Sequence, residues 1–236
     1  QDYFVTVQNC GVTLDENGRK VLVTEDIRNG NGRTIKSRYS TPNRVDKIQE
    51  PIQSIFWIMK DDALPPLVKI TDPRLASILG CTLMTKRSTA ENTGAGANLD
   101  ALVIEPYANP FRVYPLVEDY EKFKALFDKG VDCYIINTGD FLGKKVTKEV
   151  SLGVIETVVD GKANFELFGG LPGMEYLPVE GYEVPDMNGE YAELIRDRMQ
   201  FRLDYLKAFN DANPEHQIPQ DALESIKTIE RFIDVL

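Results

Sequence analysis

The sequence of 236 residues predicts an α+β fold in which a mixed, mostly antiparallel sheet is flanked by helices. Two observations carry this prediction. Short strand-like segments separated by turn sequences fill most of the first half of the chain, whereas helical periodicity dominates the second half. This segregation is typical of α+β domains, because regularly alternating strands and helices would favour a parallel sheet. The hydrophobic and charged fractions, 42% and 27%, are those of a globular protein.

The predicted strands are short runs rich in β-branched and aromatic residues. Residues 16–19 (ENGR) form a strong hairpin-turn sequence. The run at residues 55–59 (IFWIM) is apolar throughout, which predicts a central strand that is buried on both faces. The run at residues 131–136 is too short for a helix and predicts another buried strand. Further strands are predicted at residues 3–7, 12–14, 21–24, 34–40 and 99–104.

Five helices are predicted from capping residues and apolar periodicity. Asp72 caps a helix over residues 73–81 that has Pro73 in its first turn, and Thr147 caps a helix over residues 147–159. The other three helices are predicted at residues 119–129, 190–209 and 221–235. Alternating charges over residues 190–207 of the last but one of these helices indicate a solvated face.

One domain is predicted over residues 1–209, because no change in composition marks a boundary before about residue 210. Residues 210–236 are predicted to be a polar linker and a C-terminal helix that either packs back or remains free. Residues 86–98 (KRSTAENTGAGAN) are small and polar, without apolar periodicity. Such an internal segment is a lid, a binding loop or disordered, and we expect it to be the most mobile internal segment.

A strand, a loop and a helix follow one another over residues 131–161, and the loop carries Gly139, Gly143, Lys144 and Lys145. Backbone amides, a helix N-terminus and two cations converge in such a unit, so the sequence predicts an anion site. The alternative stays open, because most units of this type bind nothing and a lysine pair in a loop is usually solvated. The loop is not a Walker A motif, since its glycines enclose three residues rather than four.

Charge and composition argue against several functions. A formal net charge of −10 disfavours nucleic acid as a partner. No apolar run approaches the ~20 residues that a membrane-spanning helix requires. Cys10, Cys81 and Cys133 have no paired spacing, which predicts reduced thiols in a cytoplasmic protein. Asp61 and Asp62 can coordinate a metal, but adjacent carboxylates more often cap or solvate a loop.

Several segments, in the same order along the chain, resemble the C-terminal lobe of phosphoenolpyruvate carboxykinase. Each segment is short, and the colinear series carries the resemblance over roughly residues 3–209. The segments are residues 37–40 (SRYS), 62–66 (DALPP), the lid-like 84–96, 107–111 (YANPF), 137–139 (NTG) with 143–145 (GKK), and 165–185 with the long helix after them. The resemblance implies the α+β architecture of that lobe.

The resemblance also implies roles for individual residues. Arg38 falls at the arginine that contacts the substrate and the transferring phosphate in that family. Lys145 falls where the ATP-dependent members have an arginine near the nucleotide, and Ser151 falls where they have a threonine near the adenine and ribose. Lysine keeps the charge but lacks the planar fork of a guanidinium, so ATP and GTP both remain expected nucleotides.

By this resemblance, an intact parent protein would convert oxaloacetate to phosphoenolpyruvate with ATP or GTP and Mg²⁺ or Mn²⁺. The family's P-loop and metal ligands belong to an upstream domain, so a chain that starts at Gln1 is expected to be the nucleotide-cleft and lid domain excised from a longer protein. Phosphoryl transfer needs that cradle and metal, so the isolated chain is expected neither to turn over oxaloacetate nor to hydrolyse ATP. The alternative is a non-catalytic nucleotide-sensing or interaction domain on the same scaffold.

Overall fold

The computed structural model describes residues 5–8, 11–23, 33–36, 47–86, 101–109 and 112–235. The chain divides into two compact units, Gln1–Pro51 with Lys86–Ala101, and Ile52–Thr85 with Leu102–Leu236. This division differs from the boundary expected near residue 210. The C-terminal residues belong to the second unit, because their helix is part of its core.

Within its described residues, the first unit has two antiparallel strand pairs. Strands β1 (Val5–Gln8) and β4 (Arg33–Lys36) form one pair, and β2 (Gly11–Leu14) and β3 (Lys20–Val23) form the other. The β2–β3 turn is held by Asp15, whose Oδ1 accepts the N–H groups of Asn17 and Arg19 at 2.9 and 2.8 Å. The predicted hairpin at residues 16–19 is therefore confirmed. Arg38 lies outside the described residues.

The remaining elements follow in chain order, with a single turn of 3-10 helix at Pro106–Ala108. They are β5 (Ser54–Met59), β6 (Leu67–Ile70), α1 (Pro73–Cys81), β7 (Met84–Lys86), β8 (Leu102–Ile104), α2 (Leu116–Phe127), β9 (Asp132–Asn137), β10 (Asp140–Phe141), β11 (Lys144–Lys145), α3 (Lys148–Val159), β12 (Glu166–Leu167), β13 (Met174–Tyr176), α4 (Gly189–Ala212) and α5 (Gln220–Ile233). Of the expected lid, only Lys86 is described; the rest of the segment lies outside the described ranges.

Five of these strands form the main sheet in the order β12-β13-β6-β9-β5. The β5–β9 pair is parallel and the other three pairs are antiparallel, which confirms the predicted α+β class with a mixed, mostly antiparallel sheet. The central position predicted for residues 55–59 is wrong, since β5 ends the order of the described sheet. Trp57 and Met59 face the core, whereas Ile58 on the other face is 60% exposed.

Local capping signals place two helices where the sequence predicts them. The Asp72 carboxylate accepts the N–H groups of Arg74 and Leu75 at 2.9 Å and begins α1. The Thr147 hydroxyl accepts the N–H of Val150 at 3.4 Å and begins α3. Short polar side chains at the N-cap, the residue before the first helical turn, accept hydrogen bonds from backbone amides that have no partner inside the helix.

Helices cover both faces of the sheet. On one face, α1, α2, α4 and α5 share a core with Trp57, Met59 and Ile135. On the other face, α3 packs on Tyr134 and Ile136. The C-terminal helix packs back against α1 and α4, with five buried apolar residues: Ala222, Leu223, Ile226, Ile229 and Ile233.

Two further expectations concern membranes and thiols. In the described ranges, no helix combines the length and apolar character that crossing a bilayer demands. Cys81 and Cys133 are buried free thiols, and burial raises the pKa of both, that of Cys81 to about 12. Both thiols are therefore protonated near neutral pH.

Candidate functional site

The carboxyl ends of the parallel strands β5 and β9 lie side by side. Met59 is opposite Asn137 in the strand register, so Lys60 and Thr138 leave the sheet next to each other. Thr138 donates its backbone N–H to the Met59 carbonyl at 2.9 Å. In open α/β sheets, ligands bind beyond the carboxyl ends of parallel strands, so this edge is the candidate site.

We use the name strand-end site for Lys60, Thr138, Gly139 and Lys145. Strand alternation places Lys60 on the same face of the sheet as Ile58, which is the face that α3 covers. Lys145 belongs to β11, which leads directly into α3. Two cations and the start of a helix are therefore grouped at one edge of the sheet.

A buried amide joins the two loops that leave these strands. Asn137 Nδ2 lies 2.8, 2.6 and 2.9 Å from the carbonyl oxygens of Asp61, Leu64 and Asp140, and its two hydrogens are shared among these three acceptors. Its Oδ1 accepts the N–H of Gly139 at 2.9 Å and that of Asp61 at 3.4 Å. Asn137 is fully buried, so these partners must come from the protein. The loops after β5 and β9 are thereby held together.

Gly139 places its backbone against Lys60. A Cβ at position 139 would lie 3.1 Å from the Lys60 Cβ and 3.3 Å from the Lys60 Cα, which is tighter than ordinary van der Waals contact. The glycine therefore allows a close approach between two backbones, which an added side chain would have to push apart by a few tenths of an ångström.

The second glycine of the loop has a different role. Leu142 and Gly143 have φ angles of 48° and 80° and form the two-residue turn between β10 and β11. Positive φ at both central residues is the geometry of the type I′ hairpin turn, for which glycine is well suited. Gly143 thus shapes a hairpin, and the loop is not an open glycine-rich cradle.

The two loop lysines do not converge. They are consecutive residues of β11, so their side chains leave on opposite sides of the strand. The Lys145 Nζ donates to the Thr138 carbonyl at 3.1 Å, within the strand-end site. The Lys144 Nζ donates to the Gly181 carbonyl and lies 4.6 Å from the centre of the Tyr182 ring. Lys144 therefore ties the hairpin to the segment after β13.

The backbone amides of the loop are largely engaged inside the protein. The N–H groups of Gly139, Leu142 and Val146 donate to the Asn137 side chain, the Asp62 carbonyl and the Gly139 carbonyl, respectively. A phosphate cradle of free amides, as in nucleotide-binding P-loops, would need those groups. Any anion at this edge must therefore depend mainly on lysine side chains.

Ser151 lies one turn inside α3, and its hydroxyl donates to the Thr147 carbonyl at 3.1 Å. The hydroxyl hydrogen is thus used within the helix, while the oxygen can still accept a hydrogen bond. Two carboxylates near Lys145 would repel a bound anion. Asp140 is opposite Lys145 in the hairpin register, and Glu149 lies in the first turn of α3.

Asp61 and Asp62 are held by two arginines of α4. Arg198 bonds to Asp61 at 3.2 Å and to Asp62 at 2.6 Å, and Arg202 bonds to Asp61 at 3.2 Å. Arg202 and Asp61 are almost completely buried. Burial lowers the pKa of Arg202, and the neighbouring Asp61 opposes this effect. The solvated face expected for this helix is thus wrong at Arg202.

These ion pairs give the two aspartates a structural role. Among the described residues, no group of three or more His, Cys, Asp or Glu side chains is arranged to hold a metal ion. Asp61 also accepts the N–H of Ala63 at 3.1 Å, and Tyr191 donates to the Ala63 carbonyl at 2.9 Å. The loop that carries Lys60 is consequently fixed from several directions.

Lys60 is the member of the site that sequence reasoning missed. Residues 55–59 were predicted to be a strand, and the residue that follows such a strand is a natural place to look for a ligand contact. The partner strand could not be assigned from the sequence, so nothing pointed to Lys60. Arg38, expected to contact phosphate, lies outside the described residues and keeps its predicted role untested.

No family model matches the chain, and no curated protein matches it. The case for a function therefore depends on the geometry of the strand-end site and on the residues that compose it.

Proposed function

We propose that this chain forms one wall of a nucleotide-binding cleft and that the strand-end site contacts the phosphates of ATP or GTP. The observation that carries the proposal is the placement of two lysines at the paired carboxyl ends of parallel strands. Lys60 lies against Gly139, and Lys145 is bonded to Thr138. Lysine ammonium groups bind phosphate as point charges, without needing a fixed planar geometry.

The colinear resemblance to phosphoenolpyruvate carboxykinase supports a parent protein of that kind. In such a parent, an upstream P-loop domain would bring Mg²⁺ or Mn²⁺, and oxaloacetate and phosphoenolpyruvate would be the small-molecule substrate and product. Residues 86–98 would act as the lid, and Arg38 would contact the transferring phosphate. The proposed location is the cytoplasm, where nucleotides and reduced thiols occur together.

One observation favours a second candidate, a non-catalytic nucleotide sensor. The Lys145 ammonium group already holds the Thr138 carbonyl at 3.1 Å. An anion that recruits this ammonium group must release or share that carbonyl, so occupancy of the site would alter the loop after β9. Coupling of this kind suits a domain that reports nucleotide binding, with or without turnover.

The first test measures ATP and GTP binding to the chain by calorimetry, with charge reversal at the site. We expect Lys60→Glu and Lys145→Glu each to weaken nucleotide affinity by about five- to tenfold, since contacts to charged groups contribute roughly 1.5–3 kcal/mol and exposure reduces this. The losses should be larger at low salt, because screening is weaker there.

The matched control is Lys129→Glu, which changes the net charge equally at an exposed position near the amino end of β9. Its affinity should stay close to that of the unmodified chain. Equal losses in the control and the site variants would reduce the effect to global charge. Unchanged affinity in both site variants would contradict the proposed function.

Activity separates the two candidates. The isolated chain should form no phosphoenolpyruvate from oxaloacetate and should release no phosphate from ATP. If a longer parent protein containing this chain binds nucleotide and forms phosphoenolpyruvate with Mg²⁺ or Mn²⁺, the enzyme proposal holds. Nucleotide binding without turnover in that parent would support the sensor.

A further inference from the structure

The distance between Lys60 and Lys145 in the strand-end site depends on contacts made by neighbouring residues. The side chains of the two lysines take no part in these contacts. Lys60 is the residue before Asp61, whose backbone N–H and C=O both bond to the Asn137 side chain. The same side chain accepts the N–H of Gly139. The buried side-chain amide of Asn137 therefore fixes the backbone next to Lys60 and the backbone of Gly139.

Gly139 sets how closely those backbones approach. Its absent side chain leaves room for the Cα and Cβ of Lys60, which would lie 3.3 and 3.1 Å from an added Cβ. The backbone of Gly139 does not adopt the left-handed conformation that other residues avoid. The glycine therefore matters for distance: alanine at this position would press on Lys60 and on the Asn137 Oδ1, which lies 3.3 Å from the added Cβ.

We propose that Asn137 and Gly139 are positioning residues that set where Lys60 stands relative to Lys145, so that both ammonium groups reach one polyphosphate. This inference rests on the proposed function, because it assumes that the strand-end site binds phosphate. It goes further by naming two uncharged residues on which the affinity depends. Neither needs to contact the ligand.

Gly139→Ala is the sharpest test of this role. The new Cβ lies in the range where the neighbouring atoms must move by a few tenths of an ångström. Gly153→Ala is the matched control, since Gly153 lies inside α3 and a Cβ there meets nothing within 4 Å. The control should also raise the melting temperature slightly, because alanine favours a helix over glycine.

The experiment is a double-mutant cycle on the whole chain, with inorganic triphosphate as the ligand and calorimetry as the readout. The variants are Gly139→Ala, Lys60→Met and the double variant, and each is also followed by thermal unfolding. We expect Gly139→Ala to weaken triphosphate binding by about three- to tenfold, a size that is common for residues in contact. In the Lys60→Met background, the same substitution should have no further effect.

The cycle separates positioning from stability. A residue that only stabilises the fold changes the melting temperature, but it leaves the dependence of affinity on Lys60 unchanged. If Gly139→Ala does not fold, Asn137→Ser replaces it in the same cycle, because it loosens the same two backbones without adding volume. We expect its effect on affinity likewise to vanish in the Lys60→Met background.

Four outcomes would overturn the inference. Gly139→Ala could bind triphosphate as well as Gly153→Ala does, or it could lose the same factor with and without Lys60. If Lys60→Met binds triphosphate more weakly than the unmodified chain, either of these results overturns the positioning role. The proposed function would then still stand. If Lys60→Met binds triphosphate as tightly as the unmodified chain does, the inference fails, because Lys60 then makes no contact to position. If the unmodified chain does not bind triphosphate, the proposed function fails and the inference fails with it.

Discussion

The two loops of the strand-end site are supported in opposite ways. The loop after β5 is largely buried: Asp61, Ala63 and Leu64 are each at most 2% exposed, and Arg202 of α4 lies beneath it. The hairpin formed by β10 and β11 exposes both of its lysines and is tied down at its outer side by contacts with Tyr182. Lys60 is therefore attached to a buried loop of the core, whereas Lys145 belongs to a hairpin at the surface.

This difference has a consequence for how the site would bind. If the proposed function holds, a ligand would draw Lys145 toward itself by moving a small hairpin, whereas moving Lys60 would require changes in the core. Lys60 would fix the register of the ligand, and Lys145 would adapt to it. Substitutions beneath the two loops should thus have unequal effects on stability.

The largest effect is expected at Arg202. Arg202→Met should lower the free energy of unfolding by about 3–5 kcal/mol, because it leaves the buried Asp61 with one fewer cationic partner. Chemical denaturation at neutral pH measures this. Arg231→Met is the control, since Arg231 forms an exposed pair with Glu224 and should change stability by about 1 kcal/mol or less.

A second variant tests the cause. Adding Asp61→Asn to Arg202→Met should recover part of the lost stability, because it removes a buried charge that has lost one of its two arginine partners. No recovery would indicate that the loss at Arg202 comes from packing. A loss at Arg202 no larger than the loss at Arg231 would break the distinction between the two loops.

An intermediate effect is expected beneath the hairpin. The Tyr182 hydroxyl donates to the Lys145 carbonyl at 2.6 Å, so Tyr182→Phe should lower the free energy of unfolding by about 1 kcal/mol. Tyr114→Phe, at a tyrosine that is largely exposed, should have no measurable effect. A loss at Tyr182 as large as the loss at Arg202 would show that the hairpin is part of the core.

The smallest effect concerns pH. The Glu183 carboxylate accepts hydrogen bonds from its own backbone N–H and from the N–H of Gly181. These two hydrogen bonds hold the pKa of Glu183 below its usual value. A depressed folded-state pKa contributes stability above the unfolded value of about 4.3, and this contribution is lost as the pH falls through the folded value. Glu183→Gln should therefore lower the melting temperature slightly at pH 7 and progressively less below about pH 4.

The exposed Glu180 offers a control for that titration. Glu180→Gln removes an equal charge at an exposed position of the same segment, so its melting temperature at pH 7 should stay close to that of the unmodified chain. A melting difference for Glu183→Gln that is the same at pH 3 and pH 7 would show that the carboxylate charge is not involved.

Features that depend on neighbouring residues could be predicted from the sequence. The helix starts at Asp72 and Thr147 follow from short polar side chains next to amides without helical partners. The hairpin at residues 16–19 follows from its turn residues. The α+β class follows from the order of strand-like and helical segments, because that order reflects local periodicity.

Features that depend on distant residues could not be predicted. The pairing of Asp61 with Arg202 joins positions that are 141 residues apart in sequence. Arg202 looked like one more charge on a solvated helix, and only the packing of α4 shows that it is buried. The edge position of β5 was missed for a related reason: apolar content shows that a strand is covered, but it does not identify its neighbours.

Helix α5 constrains the order in which the second unit can fold during synthesis. Its apolar face fills the space between α1 and α4, yet α5 is the last of the described helices to leave the ribosome. Until it does, the sides of α1 and α4 that it covers are open to water and to chaperones. During synthesis, the second unit therefore waits for its final helix before its core can close.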